Sequence, residues 1–375
     1  MPKTAFVYDD TLADHVLRMD HPMRPIRLRH TYQLLDSYGA FDGESSLLVR
    51  PRPATREELE WLHTGDYVTA VQSLSAGLTT DHPTRYGFSD RGDNPVFPGM
   101  YEAATLSAGA SLVAAELVAS RQVDAAFNIS GGLHHAAAGH ASGFCVFNDP
   151  ALAIRYLLDR GLRVAYVDID AHHGDGVQNL FYHEDRVLTI SIHESGQYLF
   201  PGTGFVTERG AGRGLGYSVN IPLYPYTEDE LYLWAFNEVV PPLLRAFAPD
   251  VLVTQLGIDS YHSDPLTHLQ VTSRGYVAAV QALAGLAIPW LALGGGGYDI
   301  GAVARCWTLA YGVMLAVDWP DRIPAGFAQE HGIEHLRDTL ALDLPAEVRQ
   351  EARRFVEDEV AAIKRDIFPL HKLRG

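Results

Sequence analysis

Seven short runs rich in Val, Ile, Leu, Tyr and Phe punctuate the chain, most of them separated by longer amphipathic stretches, and this alternation constrains the fold more than any other feature. The runs are TAFVY from Thr4, DAAFNI from Asp124, RVAYVD from Arg163, VLTISI from Val187, YSVNI from Tyr217, DVLVTQ from Asp250 and PWLAL from Pro289. Helices are predicted over 101–120, 150–159, 227–248, 273–287, 301–317 and 345–367, the second with Pro150 in its first turn. Near-continuous apolar strands alternating with helices imply an α/β fold with a central, mainly parallel sheet covered on both faces. No fixed-period repeat or Pro/Ser/Gly-rich linker divides residues 1–375, so one domain is expected.

The composition narrows the class. At 47% apolar and 20% charged residues, the chain is too hydrophobic for disorder. A chain of this length buries roughly three quarters of its unfolded surface and needs no disulfide staples. Cys145 and Cys306 belong to no CxxC pattern, which favours the reducing cytoplasm. The N-terminus, MPKTAFVYDDTLADHVL, does not read as an export signal, so the mature chain is expected to start near Met1. Residues 275–298 carry no charge over a length sufficient for a bilayer crossing, but Gln281, Pro289 and the glycines 294–297 split them into a helix, a strand and a turn. No membrane span is therefore expected. A net charge of -17 argues against direct nucleic-acid binding and suits cationic partners. The stretch 79–100 has no convincing period and is the kind of long loop that borders binding sites.

Polar residues that carry chemistry follow the apolar runs with unusual regularity. GGLHH (131–135), DIDAHHGDG (168–176), SIHE (191–194), GIDS (257–260) and GGGGYD (294–299) each come just after a predicted strand, and seven of the 17 histidines fall between His134 and His193. The carboxyl ends of parallel strands share one edge of the sheet, so segments distant in sequence would converge on one cleft.

Within that cleft, period-2 alternation would point Asp168, Asp170 and His172 to one side for as far as extended geometry persists. Asp259 is the best candidate for a third ligand to a metal held by Asp170 and His172. Three protein ligands with an open position is the catalytic zinc arrangement, and the oxygen-rich set also suits Fe²⁺ or Mn²⁺. His134 and His135 need not both be ligands. A general base near neutral pH needs an imidazole held in one tautomer, and Asp168 and Asp175 are the carboxylates available for that duty. The glycine run would deliver Tyr298 to the cleft, where its hydroxyl could stabilise a developing oxyanion. GGGGYD has neither the lysine of a phosphate loop nor the dinucleotide fingerprint.

These motifs, with HPMRPIR (21–27), GDNP (92–95), GFCVFND (143–149), LFPGTG (199–204) and DPL (264–266), make the chain resemble the zinc-dependent histone deacetylase family, which includes the acetoin-utilisation deacetylases of bacteria and shares the arginase-like α/β fold. The resemblance covers 21–299. It implies that Asp170, His172 and Asp259 hold Zn²⁺, with Fe²⁺ as an alternative, and that His134 and His135 are tandem histidines backed by Asp168 and Asp175. Tyr298 would be the catalytic tyrosine. Gly143, Phe144 and Phe200 would line an acyl-lysine channel, with Leu266 and Asp93 at its rim, and Arg27 would stand near an acetate-release cavity. One K⁺ ion would use Asp168, Asp170, His172, Ser191 and Ile192, and a second Phe181, Glu184, Val187 and Tyr217.

The implied reaction is hydrolysis of N-acetyl-lysine in proteins or peptides, acetyl-CoA synthetase among them, by metal-bound water, with His135 as general base and acid and Tyr298 polarising the carbonyl. Two features depart from many relatives. Thr267 or His268 replaces a glycine, and Leu266 stands where polyamine-selective relatives place a glutamate, which favours acetyl-lysine over acetylpolyamine. The competing readings are an acetylpolyamine amidohydrolase, a binuclear manganese ureohydrolase and a non-catalytic acyl-lysine reader.

Overall fold

The computed structural model describes residues 2–78, 82–340 and 342–374; Met1 and the first three residues of the 79–100 loop lie outside them. Eight strands form one sheet among the described residues: β1 (Thr4–Val7), β2 (Ser46–Val49), β3 (Ala125–Asn128), β4 (Val164–Asp168), β5 (Val187–Glu194), β6 (Ser218–Leu223), β7 (Val251–Gln255) and β8 (Trp290–Leu293). Their order is β2-β1-β3-β8-β7-β4-β5-β6, and every pairing is parallel. The helices are α1 (Ile26–Ser37), α2 (Arg56–Leu59), α3 (Gly65–Ser75), α4 (Met100–Ala119), α5 (Asp149–Leu158), α6 (Asp175–Leu180), α7 (Asp229–Phe247), α8 (Ser273–Ala284), α9 (Ile300–Leu315), α10 (Ala325–His331) and α11 (Ala346–Asp366).

Alternation along the strands feeds two cores. Ala165 and Val167 of β4 face the layer containing Phe236, Val240, Tyr276 and Trp307, whereas Val164 and Tyr166 face the layer containing Ala114, Val118, Ile154 and Leu157. Burial on both faces accounts for the unbroken apolar character of the central strands. The α4 helix is long and apolar enough to cross a membrane, but it packs on α5, α3 and β3, with most of its apolar stretch inside the protein. The uncharged stretch 275–298 divides into α8, β8 and a glycine turn, as its punctuation predicts. Both cysteines are buried free thiols.

Register places the strand tips side by side. Asn128 pairs with Leu293, Leu293 with Gln255, Gln255 with Asp168, and Asp168 with Ser191, so one row crosses five strands at their carboxyl ends. The polar motifs begin at this row. Outside the predicted elements lie edge strand β2, in which Ser46 is buried and Leu48 exposed, and the helices α1, α2, α3, α6 and α10.

Candidate active site

The β4 strand ends at Asp168, so alternation does not carry on to residues 170 and 172. Asx-type hydrogen bonds shape the segment instead: Asp168 Oδ1 accepts from the Asp170 N–H at 3.2 Å and Asp170 Oδ1 from the His172 N–H at 2.9 Å. The turns bring Asp170 and His172 against Asp259, which follows β7. Single ligand atoms of Asp170, His172 and Asp259 lie within 4.8 Å of one another, and all three residues are buried. His172 Nδ1 stands 2.8 Å from Asp259 Oδ2 and 3.1 Å from Asp170 Oδ1.

Groups from other tips hold these carboxylates. Asp170 Oδ2 accepts from Gln255 Nε2 at 2.6 Å and the Gly296 N–H at 2.7 Å, and Asp259 Oδ1 accepts from the Ala171 N–H at 2.7 Å. A Cβ at position 296 would fall 2.1 Å from Asp259 Oδ2, so only glycine permits this approach. Burial and the neighbouring Asp170 push the Asp259 carboxyl up to about 8. Burial opposes charge on His172, but Asp259 and Asp170 outweigh it and raise the imidazole well above its ordinary range. Two buried acids converging on one imidazole nitrogen form a donor set suited to a divalent cation, with oxygen and nitrogen ligands appropriate to zinc or iron.

The tandem histidines sit beside this group, each with its own carboxylate. His134 Nδ1 meets Asp168 Oδ2 at 2.8 Å, and His135 Nδ1 meets Asp175 Oδ1 at 2.7 Å. Tyr166 donates its hydroxyl to the same Asp168 oxygen at 2.7 Å. The loop carrying the pair is held from both sides by adjacent residues at the start of α5. Asp149 accepts the N–H groups of Gly132 and Leu133 at 3.0 and 2.8 Å, and Asn148 Nδ2 donates to the carbonyls of His134 and Ala136 at 3.1 and 2.8 Å.

Above these groups lies a cavity of about 220 Å³ lined by Asp93, His135, Gly143, Phe144, His172, Leu199, Phe200, Leu266 and Tyr298. All five predicted channel residues are on its wall, and Leu199 joins them without having been marked by the sequence. Phe144 adopts a left-handed φ of 68°, and its ring meets Tyr298 edge-on at 5.8 Å; Phe200 meets His135 edge-on at 5.1 Å. Burial, followed by the charges of Asp259 and Asp170, raises the Tyr298 phenol well above its usual value and keeps it a proton donor. Its backbone N–H is fixed by Asp264 Oδ2 at 2.8 Å.

Phe144 also borders a second cavity of about 110 Å³, lined by Arg27 with Leu12, Met23, Met100 and Leu133. The buried Arg27 guanidinium donates to the Gly297 carbonyl at 2.9 Å and lies over the Trp307 ring at 5.2 Å. Of the groups expected at monovalent ions, Ser191 pairs in register with Asp168, and its hydroxyl lies 2.8 Å from His193 Nδ1. Ile192 continues β5. At the opposite end of that strand, Glu184 follows Phe181 with its carboxylate on Arg186, and the Thr189 N–H, two residues after Val187, donates to the Tyr217 carbonyl.

The sequence and the fold match known proteins. Residues 21–314 match the histone deacetylase domain. The chain is 44% identical over 332 residues to the acetoin utilization protein AcuC of Bacillus subtilis (strain 168), covering 86% of this chain and 85% of that one. It is 40% identical over 323 residues to human histone deacetylase 1, covering 86% of this chain and 66% of the human protein. Among solved structures, an HDAC homolog from Aquifex aeolicus superposes with a TM-score of 0.85 at 30% identity, covering 94% of this chain and all of that one. An HDAC homolog complexed with SAHA superposes with a TM-score of 0.87 at 29% identity over 97% of this chain and all of that one. The parallel sheet is thus the arginase/deacetylase fold, and the chain belongs to the histone deacetylase family.

Proposed function

We propose that this chain is a metal-dependent amidohydrolase that removes the acetyl group from N-acetyl-lysine in proteins or peptides. The observation that carries the reading is the convergence of Asp170, His172 and Asp259 beneath a cavity walled by both His135 and Tyr298. A divalent cation held by these three residues, Zn²⁺ with Fe²⁺ as the alternative, supplies Lewis-acid polarisation of the amide carbonyl and makes the attacking water more acidic.

The remaining work falls to side chains. His135, its Nδ1 anchored on Asp175, takes a proton from water and returns one to the departing amine, while His134, backed by Asp168, supplies positive charge nearby. Tyr298 donates its hydroxyl to the oxygen that gains charge as the carbonyl carbon becomes tetrahedral. The products are lysine and acetate. Gly143, Phe144 and Phe200 flank the lysine stem, Leu266 and Asp93 form the rim, and the Arg27 cavity receives acetate. K⁺ ions would brace Asp168, Asp170, His172, Ser191 and Ile192 at one site and Phe181, Glu184, Val187 and Tyr217 at the other.

Leu266 offers no partner for a second ammonium, so acetyl-lysine is preferred over acetylpolyamine. The net charge of -17 suits lysine-rich targets, and the relatedness to an acetoin utilization protein makes acetyl-CoA synthetase a candidate. The enzyme would act as a single catalytic domain in the cytoplasm.

The test is hydrolysis of a fluorogenic acetyl-lysine peptide by protein reconstituted separately with Zn²⁺, Fe²⁺ and Mn²⁺. The expected result is turnover with one ion per chain, abolished by a chelator. Two ions per chain with no peptide turnover would favour a ureohydrolase, and peptide binding without turnover a reader. An acetylspermidine kcat/KM several-fold above that of the peptide would reverse the substrate assignment.

A further inference from the structure

The HPMRPIR segment contains a residue with no assigned role. His21 is only 2% exposed although it lies in a surface strap before α1. Its Nδ1 accepts the Met23 N–H at 3.1 Å, which leaves the ring proton on Nε2; that atom lies 3.1 Å from the Asp93 carbonyl, to which it donates. The same ring packs edge-on against Phe144 at 4.5 Å. His21 therefore touches both the rim residue and the channel wall. Burial lowers its pKa, which favours the neutral tautomer that this bonding requires.

The loop bearing Asp93 has little other support from secondary structure. It closes through the Gly92 N–H on the Ser89 carbonyl and the Ser89 N–H on the Asn94 carbonyl, each at 3.0 Å. Arg18 adds a second tie from the strap, donating to the Asp90 carbonyl at 3.0 Å. The Asp93 side chain is exposed and lines the mouth of the cavity.

We propose that His21 is a positioning residue for substrate recognition, setting the Asp93 carboxylate at the height where it accepts peptide N–H groups flanking the acylated lysine. This rests on the amidohydrolase reading above. It separates two substrate classes: acetyl-lysine within a peptide, which presents those N–H groups, and a simple N-acetyl-alkylamine, which does not. His21 acts through Asp93, so it affects capture of the peptide rather than the bond-breaking step.

The test measures kcat and KM for the wild type, His21→Ala, Asp93→Ala and the double variant on an acetyl-lysine peptide and an N-acetyl-alkylamine reporter. His21→Ala is expected to lower the peptide-to-reporter ratio of kcat/KM about fivefold, through KM, and to add less than about twofold once Asp93 is alanine. His21→Gln, which keeps an N–H donor, should recover part of the loss. Equal losses on both substrates, a loss confined to kcat, or full additivity with Asp93→Ala would overturn the inference while leaving the hydrolase reading intact. A wild type inactive on both substrates with every metal would overturn that reading and this inference with it. If His21→Ala does not fold, His21→Gln and Asp93→Ala carry the same comparison, and an unchanged peptide-to-reporter ratio in both would overturn the inference.

Discussion

The Nε2 atoms of His134 and His135 stand 3.0 Å apart, while the Nδ1 atom of each ring faces a different carboxylate. Two charged rings in this contact would repel each other, so the pair favours one cation and one neutral ring. Burial works against charge on His134, but Asp168 and Asp170 outweigh it and raise its pKa to about 9; burial and the adjacent His134 push His135 down to about 4. The neutral ring is also the one on the cavity wall. His135→Ala should lower kcat by about 10²–10⁴, and His134→Ala by about 10–10², with metal content unchanged in both. Equal losses would remove this division of labour.

Asn148 has two tasks that a substitution can separate. Its Oδ1 accepts the Ala151 N–H at 3.0 Å and caps α5, while its Nδ2 holds the carbonyls behind the histidine pair. Serine caps well but is too short to reach those carbonyls. Asn148→Ser should therefore keep the α5 cap and lower kcat about tenfold, with KM nearly unchanged. Unchanged turnover would show that the loop holds its shape without this amide.

Tyr298→Phe removes only the hydroxyl and leaves the ring against Phe144. Loss of one donor to a developing oxyanion costs about 10²–10³ in kcat. The expected outcome is a drop of that size with metal occupancy unchanged, read from turnover and metal analysis together. Near-normal turnover would take the phenol out of the mechanism.

The convergence of Asp170, His172 and Asp259 makes a prediction for stability as well as activity. Bringing two buried carboxylates together is unfavourable without a cation to balance them, and burial followed by the charge of Asp170 raises the Asp259 carboxyl. Zn²⁺ at a hundredfold excess over its Kd should add about 2.7 kcal/mol of stability and raise Tm, and chelation should reverse it. Asp259→Asn should abolish the Zn²⁺-dependent shift. A shift that survives the substitution would place the ion elsewhere.

Much of this site was legible because chemistry gathers at strand ends, and apolar strands announce themselves. Asp170, His172 and Asp259 follow β4 and β7 in sequence, so the topology alone brings them near one another. Strand alternation does not place Asp170 and His172, since β4 stops at Asp168 and side-chain turns do the placing. What escaped notice was support from a distance. Gln255 reaches Asp170 across 85 positions, and His21 reaches Asp93 across 72; neither leaves a local pattern. Strand β2 escaped for another reason: β1, β3 and β8 are equally short but wholly buried, whereas on this edge strand Ser46 is buried and Leu48 exposed, so its burial does not follow an apolar pattern.

His63 supplies a pH test away from the metal ligands. Its Nε2 accepts the Asn148 N–H at 3.0 Å, so the ring proton sits on Nδ1, which lies 3.1 Å from the Ala137 carbonyl and donates to it. Burial lowers its pKa from 6.5 to about 4. Below pH 6.5 the unfolded chain takes a proton that the folded protein refuses, so stability is fully present above that pH and is lost as pH falls toward 4. The shift corresponds to about 3 kcal/mol across this window. His63→Gln removes the titrating group, so the stability advantage of the wild type over the variant should shrink by about 3 kcal/mol between pH 7 and pH 4 in urea unfolding. An advantage that stays constant over that range would mean that burial does not hold His63 neutral in the folded protein.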